Sequence, residues 1–259
     1  MSDKQRIIRF ETNGPADVGL QEMQLDPAGF QSELPEQHIH VYYADEALGL
    51  EVGVWTTTSM QEAFGPYPGD EFMWVLEGRV SMVDAENNET LVKTDECFCI
   101  RNGIPISWKQ VGFLRKLYMT YADPNSNTPE IASADDGVMT LDAAVLEAGM
   151  TKMESTEPLV IVGDKPLQHD NILFTNDTGN MYVGMWDSTA FDSEMRPFPW
   201  HEMVRLLEGE VTITEADGSV HLFKAGDAFF IPMGAVCQWQ ATGYVKKFYS
   251  ILEPIVDSV

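Results

Sequence analysis

The chain has 259 residues, with 16 Lys plus Arg against 41 Asp plus Glu, a formal net charge of −25. A field of that sign repels phosphate backbones and anionic lipid headgroups, so neither nucleic-acid nor membrane-surface partners are expected. Three cysteines, Cys97, Cys99 and Cys237, lack the density of a disulfide scaffold, and no apolar run has the length of a signal peptide or membrane span; reduced thiols and a cytoplasmic location are expected.

Taken in order, residues 1–30 mix polar and isolated apolar positions with Pro and Gly breaks, which reads as an extended arm able to supply an edge strand or a partner contact. Residues 38–58 place β-branched and aromatic side chains on either side of a polar interruption, a hairpin pattern. The Gly65-Pro66-Tyr67-Pro68-Gly69 segment cannot continue a strand ladder and reads as a loop. Strands then run to Tyr121, giving a first β domain over residues 31–122. Residues 123–136 are polar and Pro-containing, the start of a linker or crossover that extends to residue 158. Within it, residues 141–146 are the best helical candidate. From residue 159 the strand-and-turn pattern resumes, giving a second β domain over residues 159–259.

The second pattern copies the first at a constant offset of 131 residues: Glu71 to Glu202, Gly78 to Gly209, Trp108 to Trp239, Lys116 to Lys247 and Tyr118 to Tyr249. Gln37 and Gln168, His38 and His169, and Trp55 and Trp186 match in the same frame. Rare residues falling into one gapless register indicate a duplication. Many short strands with evenly spaced Gly and Pro turns predict an all-β protein of two tandem barrels or jelly rolls.

The second copy reads Glu202, then Leu206-Leu207-Glu208-Gly209, Asp217-Gly218, Ala225-Gly226-Asp227, Ile231-Pro232, Gly234, Trp239, Lys247 and Tyr249. This resembles the two motifs of the cupins, small jelly-roll barrels also described as double-stranded β-helices. The closer likeness is to the ethanolamine-utilisation-like cupins, whose members often carry the (S)-ureidoglycine aminohydrolase label. The resemblance implies a bicupin. It also implies that metal-dependent members place two histidines, one residue apart, ahead of the glutamate, and a third three positions after the Pro-x-Gly glycine. Here Met195-Arg196-Pro197-Phe198-Pro199-Trp200 precedes the glutamate, and Cys237 stands three after Gly234. The first copy has Ile106 at that last position. One retained ligand does not make a site, and no cofactor is expected. An atypical set of Glu202, His201 and Cys237 holding Mn, Fe, Ni or Zn is the alternative, but on a strand His201 should face away from Glu202 and outward.

Strand alternation places Cys237 with Trp239, and Lys247 with Tyr249, on shared faces. With Glu202 and Arg196 they form the candidate ligand-binding set in the second barrel, an aromatic pocket with few fixed polar groups. Cys237 is expected to fill space rather than act as a nucleophile. No catalytic residue is assigned. The expected function is binding of a small polar metabolite, with two enzymic readings beside it. One is metal-independent isomerase, lyase or hydrolase chemistry using Glu202 as base and Lys247 or Tyr249 as acid; the other is an aminohydrolase-type metal enzyme with an atypical site. A non-catalytic regulatory bicupin remains open, as either monomer or homodimer.

Overall fold

The computed structural model describes residues 5–253 except 130, 132, 135 and 136. Residues 1–4 of the expected arm, those four linker positions and residues 254–259 of the second domain therefore lie outside the described residues. The described chain is almost entirely antiparallel β-structure. Among its residues the α-helix Ala143–Ala148 has six residues, and no helix is long and apolar enough to cross a membrane.

The chain divides into two compact units, residues 10–142 and residues 1–9 with 143–259. Each contains a seven-stranded and a five-stranded sheet whose connections repeat. In the second unit the large sheet runs Ile8–Arg9, Ala228–Ile231, His201–Glu208, Val245–Leu252, Met181–Ser188, Gln168–Thr175 and Thr151–Lys152. In the first it runs Val138–Leu141, Cys97–Ile100, Asp70–Glu77, Leu114–Tyr121, Leu50–Thr57, Gln37–Asp45 and Gln21–Glu22. The 131-residue offset thus carries each central strand onto its counterpart, down to the register shift beside Lys116 and Lys247.

The unit boundaries differ from those read in the sequence, for identifiable reasons. Residues 138–141 of the expected linker pair with Cys97–Ile100 and close the first sheet. The helix starts at Ala143 because Leu141 is held in that ladder, opposite Cys97. In the second unit the equivalent edge is taken by Ile8 and Arg9, opposite Phe230 and Phe229. Ile7 is buried there, and Arg9 Nη1 lies 2.9 Å from Asp227 Oδ2. The expected arm therefore splits, its beginning completing the C-terminal sheet and residues 10–30 staying with the first unit.

Alternation fills each barrel. Along Val236–Ala241 the buried residues are Cys237, Trp239 and Ala241, which join Phe191, Phe229 and Ile213 in one apolar cluster. Gly209 makes the turn between His201–Glu208 and Glu210–Glu215 with φ +76°, and a Cβ there would meet the Tyr244 carbonyl oxygen at 2.1 Å. Only glycine satisfies both the left-handed backbone and that approach.

Candidate functional site

Three adjacent strands build the interior of the C-terminal barrel. On His201–Glu208 the period of two turns Glu202, Val204 and Leu206 to the same face. In the ladder, Leu206 stands opposite Lys247 and Val204 opposite Tyr249, while Trp186 is the other neighbour of Lys247. Gly184 is opposite Tyr249, and a Cβ there would come within 2.6 Å of the Tyr249 hydroxyl. The missing side chain lets the phenol lie across the sheet to Asp170, to which it donates a hydrogen bond at 2.8 Å.

A cavity of about 280 Å³ opens among these residues. Glu202, Trp239, Lys247 and Tyr249, four of the six residues singled out in the sequence, line it, together with Gln168, Asp170, Trp186, Trp200 and the segment around Pro158. The Lys247 ammonium lies 2.5 Å from Glu202 Oε1 and 4.9 Å from the ring centres of both Trp186 and Trp239. The second oxygen, Glu202 Oε2, accepts from Trp200 Nε1 at 3.4 Å. Ion pairing and two aromatic faces together compensate an ammonium that the fold has taken out of water.

The remaining acid and phenol are shifted in ways that suit hydrogen bonding. Burial raises the Asp170 carboxyl above its ordinary range, opposed by the Tyr249 hydroxyl and the Lys247 charge. Burial, then the Asp170 charge, pushes the Tyr249 phenol upward, so it stays protonated and donates.

Arg196 and Cys237 do not line the cavity. Arg196 sits on the short strand Arg196–Pro197, its guanidinium largely exposed and held by Glu194 at 2.8 Å. A hydrated surface carboxylate captures it at no desolvation cost. Cys237 is buried in the apolar cluster. Burial pushes its thiol up to about 12, against a pull from the Trp239 indole, which itself makes no hydrogen bond of ordinary geometry. His201 faces away from Glu202 but is not outward: it is 2% exposed, stacks on Phe230, and accepts the Met233 N–H at Nδ1. The outer face of this strand is itself buried, since Met203 and Arg205 are covered as well.

These positions do not fit a divalent metal. Both Glu202 oxygens are engaged, a buried ammonium already neutralises the carboxylate, Cys237 is packed in the apolar cluster and does not line the cavity, and His201 is on the other face. Among the described residues no group of three His, Cys, Asp or Glu is placed to hold an ion.

Gln168, Asp170, Trp186 and Trp200 were not part of the set read from the sequence. A usable signal existed for Asp170, which replaces Ile39 of the first copy. Gln168 is the more informative. It is 2% exposed, and neither its Nε2 nor its Oε1 has a hydrogen-bond partner. Its counterpart Gln37 donates to the Met60 sulfur at 3.2 Å, and the residue equivalent to Met60 is Phe191, which offers no acceptor.

The first barrel keeps the central pair but occupies it differently. Lys116 is 2.7 Å from Glu71 and 3.0 Å from the Met73 sulfur, and the Tyr67 hydroxyl donates to the other Glu71 oxygen. Phe198 stands where Tyr67 would be, and Val204 where Met73 would be. The Tyr67 and Met73 partners of the first pair are thus absent from the second, where Trp200 takes over the second Glu202 oxygen and the pair borders the cavity.

Residues 175–249 match the family of EutQ-like cupin domains. Among solved structures, a Pseudomonas syringae protein of unknown function superposes with a TM-score of 0.75 at 22% identity, covering 95% of this chain and 98% of its own. A Nostoc punctiforme protein with a provisional dioxygenase assignment gives 0.63 at 13% identity, over 97% of this chain and 84% of its own. A cupin 2 conserved barrel domain protein from Leptotrichia buccalis gives 0.55 at 12% identity, over 86% and 91%. No curated protein matches the sequence. The fold is that of the cupin superfamily.

Proposed function

We propose that this cupin-fold chain binds a small metabolite in its C-terminal barrel, without a metal ion. The observation that carries the reading is the cavity beside the Glu202–Lys247 pair, at a place where the first barrel packs the Tyr67 hydroxyl and the Met73 sulfur against the equivalent pair. Aromatic walls hold the body of a ligand by area and stacking, and a small number of fixed polar groups orient it. A preformed, charge-neutral Glu–Lys pair can accept and donate to a ligand at once without adding net charge.

Catalysis is the second reading, favoured by the direct Glu202–Lys247 contact. A ligand with an acidic C–H or N–H beside Glu202 could pass a proton to the carboxylate while Lys247 stabilises the charge left behind. Tyr249 is poorly suited as the acid, because its environment tightens its hold on the proton.

The test is elemental analysis joined to a thermal-shift screen of metabolites and divalent ions. The reading expects no stoichiometric metal and stabilisation by an organic compound. Stoichiometric Mn, Fe, Ni or Zn that disappears in Glu202→Ala would overturn the metal-free part. A product formed from a stabilising compound, lost in Glu202→Gln, would move the protein to the catalytic reading.

A further inference from the structure

We infer that the ligand of the C-terminal cavity is a flat ring with an adjacent hydrogen-bond donor and acceptor, a lactam-type edge read by the Gln168 amide between aromatic walls. This rests on the reading of the cavity as a binding site and names the chemical class it takes. The central observation is that Gln168 lines the cavity, is almost wholly buried, and leaves both amide heavy atoms without partners. Buried amides are nearly always satisfied, and an orphaned pair costs the desolvation of both groups. The duplication supplies an internal control. In the first barrel the same glutamine has the Met60 sulfur as acceptor, and in the second Phe191 removes it.

An amide presents a donor and an acceptor side by side. The complementary group presents an acceptor and a donor at the same spacing, as a lactam or another cyclic amide does. The walls indicate the shape. Trp186, Trp200, Trp239, Tyr182, Phe198 and Tyr249 all line the cavity, and such walls favour planar rings through offset stacking and edge contacts. Its volume of about 280 Å³ exceeds the roughly 150 Å³ in which a single benzene is accommodated. The lining charges select against anions: Glu157, Asp170, Glu202 and Glu253 face one cation, Lys247, which is already paired. A neutral edge satisfies Gln168 without meeting that field.

The test is calorimetric titration of the full-length protein with four probes: 2-pyridone for the lactam edge, toluene for an aromatic ring with no edge, benzoate for an anion and benzylamine for a cation. Wild type is expected to bind 2-pyridone more tightly than the other three. Gln168→Leu should weaken 2-pyridone by about tenfold or more while leaving toluene unchanged, because a site that pairs with a ligand's polar edge discriminates strongly against its loss. Should Gln168→Leu fold poorly, Phe191→Met serves instead. It restores the sulfur acceptor that Gln37 has, and it is expected to weaken 2-pyridone severalfold by occupying the amide. Equal 2-pyridone affinity in wild type and both variants overturns the inference, as does tighter binding of benzoate than of 2-pyridone. If toluene or benzylamine binds and 2-pyridone does not, the inference falls and the binding site stands. If none of the four binds, the inference falls, and the binding reading is decided separately by the thermal-shift screen of metabolites.

Discussion

The Lys247 ammonium and the Glu202 carboxylate meet at 2.5 Å inside the C-terminal barrel, with both side chains almost entirely removed from water. Removing either partner strands the other as an uncompensated buried charge, which typically costs about 3–5 kcal/mol. Lys247→Met and Glu202→Gln are each expected to lower the unfolding free energy, read from urea titration, by an amount in that range. The double variant should recover a large part of the loss, since neither charge is then buried alone. Additive losses in the double variant would show that the two residues do not act as a pair.

The glycine turns give a stability prediction with a built-in comparison. Gly209 and Gly218 both have φ near the left-handed region, at +76° and +87°, yet a Cβ on Gly218 meets nothing within 4 Å while one on Gly209 meets a backbone oxygen at 2.1 Å. Gly218→Ala should cost about 1–2 kcal/mol, the strain of the conformation alone. Gly209→Ala should cost clearly more, read as the difference in urea midpoint.

The thiols should be silent in the folded protein. Cys97, Cys99 and Cys237 are buried and in no disulfide, and burial pushes Cys237 up to about 12. Since the thiolate is the reacting species, a disulfide reagent at pH 8 is expected to label none of them in native protein and all in guanidinium. Rapid native labelling of Cys237 would revive it as a nucleophile.

The first barrel carries a pH-dependent element. Burial raises the Glu62 carboxyl from 4.5 to about 7, with the Glu71 charge adding to the rise and Lys116 opposing it. The Tyr67 phenol in turn feels both Glu71 and Glu62. Below pH 4.5 folded and unfolded chains both hold the Glu62 proton. Between about 4.5 and 7 the folded state alone retains it, so stability falls as pH rises, with a slope approaching 1.4 kcal/mol per pH unit for one proton. Urea titrations at pH 5 and pH 8 should show wild type losing stability relative to Glu62→Gln across that interval. An identical pH dependence in the two proteins would contradict the assignment.

How far the sequence discloses this molecule depends on how local the cause is. The turns at Gly209 and Gly226-Asp227 and the alternation along 236–241 are written in adjacent residues, and the 131-residue offset doubles their weight. Glu202, Trp239, Lys247 and Tyr249 converge because strand period and the repeat determine their faces. Arg196 follows no such rule, since its position depends on a surface partner, Glu194. The Ile8–Arg9 edge strand is two residues long and exists only because the Ala228–Ile231 edge is there to receive it. Gln168 is hidden for a similar reason. Its unpaired amide goes with Phe191, 23 positions along the chain, which stands at the place where the first copy has the Met60 acceptor of Gln37, a partner that only the folded barrel brings to that glutamine.

The central claim, that ligand binds in the C-terminal barrel and not in its first-barrel counterpart, is tested most directly by a paired cavity-filling experiment. Ile172 lines the cavity and is half exposed, and Val41 is its partly exposed equivalent in the first barrel. Compounds that raise the melting temperature of wild type are compared in Ile172→Trp and Val41→Trp. The account predicts that the shifts vanish in Ile172→Trp and persist in Val41→Trp. Shifts that survive in Ile172→Trp, or that are lost in Val41→Trp instead, would contradict it.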